Sequence, residues 1–158
     1  NPRVAEKRNS VTWLKQYFEG KWSFKRVIFC SGDSPYGVAD GTACFSPSDE
    51  GKLIYNESGK LSLSESGQTF PFFRSFIYLF DEDRVEVYFN DGPNSGQLYQ
   101  SYRLEDDHLT LSPTTGHICR DDCYNGTYEM LSSGEFKLET LIKGPRKEFK
   151  IATHAKKD

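Results

Sequence analysis

The chain begins with a helical pattern of apolar residues and then changes to a strand pattern. Ser10 is a favourable N-cap residue, and Gly20 fits the position that follows the end of a helix. Between them, apolar residues recur at helical spacing, at Val11, Leu14, Tyr17 and Phe18. This pattern predicts one short helix over residues 11–18, preceded by a frayed polar segment at residues 1–9.

From about Lys21 onward, apolar and polar residues alternate, as they do in strands that bury one face. Turn-forming groups of Gly, Pro, Asn, Asp and Ser recur every 8–14 residues and separate about ten short segments rich in aromatic and β-branched residues. Many short strands joined by short turns close naturally into a barrel, because closure removes exposed sheet edges. We therefore predict an all-β fold: a closed antiparallel up-and-down barrel of about ten strands over residues 21–154, in one domain covering residues 1–158.

Composition and charge narrow the range of partners. The 158 residues carry a net charge of −3, which does not favour nucleic-acid binding, and no apolar run is long enough for a membrane-spanning helix. We therefore expect no nucleic-acid partner and no membrane span. The chain shows no secretory signal, so we expect an intracellular, cytoplasmic protein whose four cysteines are free thiols.

Five short motifs follow one another along roughly residues 13–154. They are Gly-x-Trp-x-x-x-Arg, Gly-x-Ala-x-Phe, Tyr-x-Glu-x-Gly, His-x-Cys-x-x-Asp-x-Tyr, and Gly-Pro-x-Lys followed by an aromatic residue. The matching residues are Gly20, Trp22, Arg26, Gly41, Ala43, Phe45, Tyr55, Glu57, Gly59, His117, Cys119, Asp122, Tyr124, Gly144, Pro145, Lys147 and Phe149. In this order the motifs resemble a lipocalin-like (calycin-type) family of unknown function. The chain departs from that pattern in an elongated segment at Ser31–Asp40 and in Phe149, where the family pattern has Tyr.

The resemblance implies an architecture and a set of residues, but no reaction. It implies a lipocalin-like barrel whose floor is closed by Trp22 of the first strand. It also implies that a basic side chain of the last strand packs over this ring, for which Arg146 and Lys147 are the candidates.

Charged residues share the more apolar face of several predicted strands. Because neighbouring side chains of a strand point to opposite faces, alternation can be used to assign them. The inner face then carries three cations, two carboxylates and one histidine: Arg26, Arg74, Lys147, Glu57, Asp122 and His117. Buried charges are costly unless they are paired. They could form satisfied pairs that plug the barrel, Arg26 with Glu57 and Lys147 with Asp122, or they could bind a ligand.

We predict non-enzymatic binding of a small anionic or amphipathic ligand in the barrel lumen, because this face has more cations than carboxylates. The three cations would meet the anion, the tyrosines would add hydrogen bonds, and His117 with Asp122 would form a polar pole. The predicted ligand-binding residues are Arg26, Tyr55, Glu57, Arg74, Tyr78, His117, Asp122, Tyr124 and Lys147. We predict no catalytic residue, no cofactor and no metal ion.

Two other functions remain open at this stage. Twelve Phe residues could fill the lumen, which would make the barrel a scaffold or protein-interaction module that acts through its outer surface or as a homodimer. Alternatively, the chain could be a small barrel enzyme, an isomerase or hydrolase, that uses His117 with Glu57 or Asp122. A zinc site at His117, Cys119 and Cys123 is a weaker alternative, because no Cys-x-x-Cys pair completes the ligand set.

Overall fold

The computed structural model describes residues 10–114, 123–145 and 148–158, which form one helix and ten strands. The helix α1 spans Ser10–Phe18. The strands are β1 (Gly20–Cys30), β2 (Pro35–Pro47), β3 (Lys52–Leu63), β4 (Thr69–Asp81), β5 (Arg84–Phe89), β6 (Leu98–Leu104), β7 (Thr110–Pro113), β8 (Cys123–Ser132), β9 (Glu135–Lys143) and β10 (Glu148–Lys157). The predicted helix and the all-β fold are confirmed, whereas the expected frayed segment at residues 1–9 lies outside the described residues.

The ten strands form one closed barrel. Each strand pairs antiparallel with the next strand in the sequence, and β1 closes the ring by pairing with β10. The predicted up-and-down connectivity is therefore confirmed. No helix in the described part of the chain is long and apolar enough to cross a membrane.

The helix α1 closes one end of the barrel with aromatic packing. Leu14 and Phe18 are fully buried. The Phe18 ring lies within 6.3 Å, centroid to centroid, of rings from four strands: Phe45, Tyr78, Phe80, Tyr128 and Phe136. The indole Nε1 of Trp22 donates a hydrogen bond to the Phe18 carbonyl oxygen at 2.8 Å, which ties the helix end to the first strand. We call this end of the barrel the floor.

Within the described residues, the basic side chain over Trp22 is Lys157, which the sequence did not predict. The Lys157 Nζ lies 5.2 Å from the centre of the Trp22 ring and donates a hydrogen bond to the Tyr17 carbonyl oxygen at 2.8 Å. The reason is the strand register. Since β1 and β10 are antiparallel, Trp22 near the start of β1 pairs with Lys157 at the end of β10. The side chains of Arg146 and Lys147 lie outside the described residues.

Small residues on the inner face of β2 leave space inside the barrel. Four alternate residues of this strand are small: Gly37, Ala39, Gly41 and Ala43. Gly41 pairs with Gly59 of β3, and a Cβ atom on Gly41 would lie 2.2 Å from the Ser58 carbonyl oxygen and 2.9 Å from the Phe24 ring. Glycine is therefore required here by close approach of two backbones and one ring.

The expectation of four free thiols is wrong for Cys123, which is disulfide-bonded. Cys30 and Cys44 are free and partly buried. The sequence spacing alone could not distinguish these states, because an even number of cysteines is compatible with both.

Candidate functional site

A cavity of about 290 Å³ lies inside the barrel, above the floor. Most of its wall is apolar and aromatic, from residues such as Phe24, Phe45, Phe72 and Phe76. Five of the nine predicted ligand-binding residues line it: Arg26, Tyr55, Glu57, Arg74 and Tyr78. The described residues therefore leave part of the lumen open, whereas the scaffold alternative requires a lumen filled completely by its own rings.

The other four predicted site residues are only partly described. The Tyr124 ring packs 5.0 Å, centroid to centroid, from the ring of Tyr99, which lines the cavity. The remaining three predicted residues, His117, Asp122 and Lys147, lie outside the described residues, and so does the predicted Lys147–Asp122 pair.

Arg26 and Glu57 form a bidentate ion pair inside the barrel. The Arg26 Nη1 and Nη2 atoms donate hydrogen bonds to Glu57 Oε2 and Oε1 at 2.8 and 2.9 Å, and Arg26 Nε donates to Thr153 Oγ1 at 2.9 Å. The side chain of Glu57 is only 4% exposed. Arg26 lies on β1 and Glu57 on β3, so the pair crosses β2, whose small inner residues leave room for it. This pair was one of the two predicted from the sequence.

The surroundings of Glu57 keep it ionised. Burial alone would raise the pKa of Glu57, but the hydrogen bonds and charge of Arg26, with the Tyr55 hydroxyl donating at 2.5 Å, lower the pKa below its usual value of 4.5. Burial also opposes the charge of Arg26, yet its contacts with Glu57 raise the pKa of Arg26 overall. Both partners are therefore charged, and each neutralises the other.

Arg74 has a much weaker partner. It pairs with Glu57 across β3 and β4 in register, but its described hydrogen bond joins Nε to Asp91 Oδ2 at 3.4 Å. This separation is long for a charge-assisted bond. Asp91 Oδ2 also accepts a hydrogen bond from the Ser75 backbone N–H at 2.9 Å. The Arg74 side chain is 45% exposed and its guanidinium lies 5.0 Å from the centre of the Phe76 ring.

The buried tyrosines supply neutral hydroxyl groups. Burial raises the pKa of Tyr55, Tyr78, Tyr102 and Tyr128 well above 10, so they stay protonated at neutral pH. The hydroxyls of Tyr78 and Tyr128 lie 2.6 Å apart and hydrogen-bond to each other. Tyr55 donates to Glu57. These groups make the cavity wall polar at points without adding charge.

Sequence reasoning missed two features of the barrel interior. The first is the run of small inner residues on β2, which the alternation of Gly and Ala in that strand could have shown. The second is Gln100 on β6, whose side chain is buried beside two tyrosines that line the cavity. Alternation could have placed Gln100 on the inner face, because it shares the phase of Tyr102 and Leu104.

The site offers hydrogen bonds and charge rather than metal coordination by the described residues. Across residues 10–114, 123–145 and 148–158, no group of three His, Cys, Asp or Glu side chains could hold a metal ion. His154 lies in β10 with its Nε2 atom 2.5 Å from Glu135 Oε2.

Taken together, the fold and the cavity define a closed ten-stranded antiparallel barrel with a polar aromatic lumen. The chain belongs to the family of unknown function DUF6314, which matches residues 18–157. The predicted resemblance to a family of unknown function is thus confirmed, although the individual motifs stay untested. No curated protein matches the chain.

Several solved structures share the fold at low sequence identity. The S-type phycobiliprotein lyase CPES from Guillardia theta has a TM-score of 0.66 and 10% identity, with 98% of this chain and 96% of that chain covered. Rv2717c from M. tuberculosis has a TM-score of 0.63 and 8% identity, with 94% and 97% covered. EF1p2_mFAP2b, solved bound to DFHBI, has a TM-score of 0.50 and 12% identity, with 90% and 95% covered. At these identities the similarity concerns the fold.

Proposed function

We propose that the barrel binds a small amphipathic anion in its cavity, with the apolar body of the ligand among the lumen rings and the anionic group at Arg74. The observation that carries this proposal is the difference between the two inner arginines. Arg26 makes three short hydrogen bonds and is neutralised by Glu57, whereas Arg74 lines the same cavity and its hydrogen bond within the described residues is one long contact to Asp91. Arg74 is therefore the better anion-binding group.

The position of Arg74 suits this role electrostatically. Its charge contributes to lowering the pKa of Glu57 and opposes the effect of burial on the pKa of Tyr99, so its field reaches into the lumen. Its partial exposure would let an anion approach without stripping all water from the guanidinium. A bound carboxylate, sulfonate or phosphate could displace Asp91, which would keep its hydrogen bond from Ser75.

The size and lining of the cavity support a small, flat, largely apolar ligand. A volume of about 290 Å³ lies just below the range of about 300–1,000 Å³ for small-molecule pockets. The aromatic wall favours stacking and edge-to-face contacts with a ring system. Tyr55 and Tyr78 would contribute hydrogen bonds, and the roles of His117, Asp122, Tyr124 and Lys147 in binding stay predictions. That a protein of this fold was solved bound to DFHBI is consistent with the proposal.

A pair of fluorescent probes tests the role of Arg74. Anilinonaphthalene sulfonate is an amphipathic anion, and N-phenylnaphthylamine has the same ring body without the sulfonate. We expect Arg74→Ala to weaken binding of the sulfonate by about tenfold, the value of one charge-assisted hydrogen bond, and to leave binding of the neutral probe unchanged. Fluorescence titration of both probes measures this difference.

Two matched variants serve as controls for this experiment. Arg103→Ala removes an outer arginine that is 55% exposed and lies 4.0 Å from Asp83, so it should change neither titration. Ala39→Phe should fill the cavity and abolish binding of both probes while the barrel stays folded. Equal loss of both probes in Arg74→Ala, or unchanged binding in Ala39→Phe, would contradict the proposal.

A further inference from the structure

The hydroxyl group of Tyr102 faces the cavity without a hydrogen-bond partner. The Tyr102 side chain lines the cavity and is only 1% exposed. Among the described side chains, the fully enclosed nitrogen and oxygen atoms that lack a partner belong to a different residue, Gln100. Since the Tyr102 hydroxyl makes no hydrogen bond to the described residues and is not one of these enclosed atoms, it is in contact with the open space of the cavity.

Three further hydroxyl groups line the cavity close to that of Tyr102. The Tyr128 ring packs edge-on against the Tyr102 ring at 5.1 Å, centroid to centroid, and the hydroxyls of Tyr128 and Tyr78 lie 2.6 Å apart. On β9, Thr140 pairs with Gly126 of β8, and a Cβ atom on Gly126 would lie 2.8 Å from the Tyr102 hydroxyl oxygen. Glycine at this position therefore leaves the space that the hydroxyl occupies. We call Tyr78, Tyr102, Tyr128 and Thr140 the hydroxyl cluster.

Two O–H donors of the hydroxyl cluster lack an acceptor. Burial raises the pKa of Tyr78, Tyr102 and Tyr128 well above 10, so all three keep their protons at neutral pH. The hydrogen bond between Tyr78 and Tyr128 uses one of their two protons, whichever residue donates it. The other proton of this pair and the proton of Tyr102 have no acceptor within the described residues. Because unpaired buried donors are costly, both require a partner.

The hydroxyl cluster lies closer to the floor than Arg74 does. Tyr78 follows Arg74 by four residues on the inner face of β4, which corresponds to about 13 Å along a strand. Arg74 is 45% exposed, whereas Tyr78 is 6% exposed and its ring lies 6.3 Å from that of Phe18 at the floor. The Phe76 ring lines the wall between them. The cavity therefore has a cationic group at its more exposed end and O–H donors at its inner end.

We propose that the cavity selects ligands with an acceptor oxygen, such as a ketone carbonyl, at the end opposite their anionic group, and that Tyr102 donates a hydrogen bond to this oxygen. This inference rests on the proposed function. A carbonyl oxygen has two lone pairs, so it can accept from Tyr102 and also from the Tyr78–Tyr128 pair. An alkyl group at the same place would leave both O–H donors unpaired. The ligand class is therefore an aromatic keto acid whose acid group lies at Arg74.

Two neutral naphthalenes of the same shape test this inference. Methyl naphthyl ketone carries the carbonyl, and isopropenylnaphthalene has a methylene group in place of the oxygen. Neither is charged, so their binding does not depend on Arg74. We expect Tyr102→Phe to reduce the preference for the ketone over the alkene by about tenfold, the value of one hydrogen bond. Tyr36→Phe, at a residue that is 48% exposed, should leave this preference unchanged. Displacement of N-phenylnaphthylamine measures each affinity.

The infrared spectrum of bound methyl naphthyl ketone reports the hydrogen bond directly. With an isotope label on the carbonyl carbon, the stretching band should lie at lower frequency in the wild-type protein than in hexane. In Tyr102→Phe it should move back towards its position in hexane. Thermal unfolding of the unliganded variant is the structural control. Since the Tyr102 hydroxyl makes no hydrogen bond to the described residues, Tyr102→Phe should unfold at the same temperature as the wild type or higher.

Three results would overturn the inference: a carbonyl band at its hexane position in the wild type, a ketone preference that Tyr102→Phe leaves unchanged, or a clear loss of thermal stability in unliganded Tyr102→Phe. The last would mean that the hydroxyl is bonded within the fold, for example through a buried water molecule. If anilinonaphthalene sulfonate binds and one of these results is obtained, the inference fails alone. If neither this sulfonate nor the two naphthalenes bind, the proposed function fails as well.

Discussion

The same strands line both halves of the barrel interior, but they contribute different kinds of side chain to each half. At the floor, buried rings pack around Phe18, and the Tyr17 hydroxyl donates to a backbone acceptor, lying 2.8 and 2.9 Å from the carbonyl oxygens of Ser132 and Glu135. Towards the other end, the same faces carry Arg26, Glu57 and Arg74 around a cavity of about 290 Å³. We call this second half the polar lumen.

The change between these halves can be followed along single strands. On β1 the inner face passes from Trp22, which is 1% exposed, to Arg26 within four residues, and on β4 it passes from Phe80 to Arg74. The packed floor can stabilise the barrel. The polar lumen can therefore contain buried charges and a cavity, although neither of these favours stability by itself. Substitutions at the floor should therefore reduce stability, and substitutions in the polar lumen should reduce binding unless they break the central ion pair.

Alkaline pH should cause the largest loss of stability. Burial raises the pKa of Tyr17 to about 12 and holds the pKa of four more of the nine tyrosines well above 10: Tyr55, Tyr78, Tyr102 and Tyr128. In the unfolded chain they ionise near pH 10, so above that pH the unfolded state binds fewer protons and becomes favoured. Each such tyrosine should cost about 1.4 kcal/mol per pH unit above pH 10.

Absorbance of tyrosinate during an alkaline titration measures this effect. These five buried tyrosines should ionise only together with loss of the barrel's circular dichroism. Ionisation of all nine tyrosines near pH 10 in a folded barrel would show that the floor is open to solvent.

Phe18→Ala should cost about 3–5 kcal/mol of unfolding free energy, because it removes the ring on which the floor is packed and leaves a cavity. Urea denaturation measures this loss. Gln16→Ala, at an exposed position of the same helix, should change the unfolding free energy by less than about 0.5 kcal/mol. If Phe18→Ala were as mild as the control, the helix would not close the barrel as described.

Glu57→Ala should reduce stability although Glu57 lies in the polar lumen, because it breaks the central ion pair. It leaves the buried Arg26 charge without its partner and should cost about 3 kcal/mol or slightly more. The double variant Arg26→Met/Glu57→Leu removes both charges and should recover most of that stability, as urea denaturation would show. Since we assign the anion to Arg74, the double variant should still bind anilinonaphthalene sulfonate. Loss of this binding with stability intact would instead make Arg26 the anion-binding residue.

Arg74→Ala should have the smallest effect on folding, less than about 0.5 kcal/mol, because its ion pair with Asp91 is long and partly exposed. The same urea measurement tests this expectation. A loss of stability as large as that of Glu57→Ala would place Arg74 in the structural framework rather than in the binding site.

Strand periodicity carried much of the information needed to predict this molecule. The alternation from Lys21 onward predicted the barrel, and it placed Arg26, Glu57 and Arg74 on the inner face because side-chain direction in a strand depends only on parity. This parity of positions along a strand does not determine the register between paired strands. Lys157 covers Trp22 because the pairing of β1 with β10 brings these two residues together, which parity does not show. The wall around Gln100 depends on an extra residue at Tyr99, which no local pattern indicates.

The sequence also did not show how strongly each inner arginine is paired. Arg26 and Arg74 are chemically identical and both line the cavity. Within the described residues, Arg26 is held by short hydrogen bonds to Glu57 and Thr153, whereas the hydrogen bond of Arg74 to Asp91 is long. The difference arises from the small residues of β2, which let Arg26 reach across to β3. Only three-dimensional distances reveal it.

Native mass spectrometry of the protein as purified, before and after denaturation, tests the central claim most directly. We predict a fixed mass excess on the folded wild type that disappears on denaturation and is absent from Ala39→Phe, whose cavity is filled. If the wild-type protein has only the mass of its polypeptide chain and also fails to bind anilinonaphthalene sulfonate, ligand binding in the lumen would be contradicted. So would a mass excess that Ala39→Phe retains, because the bound molecule would then lie outside the cavity.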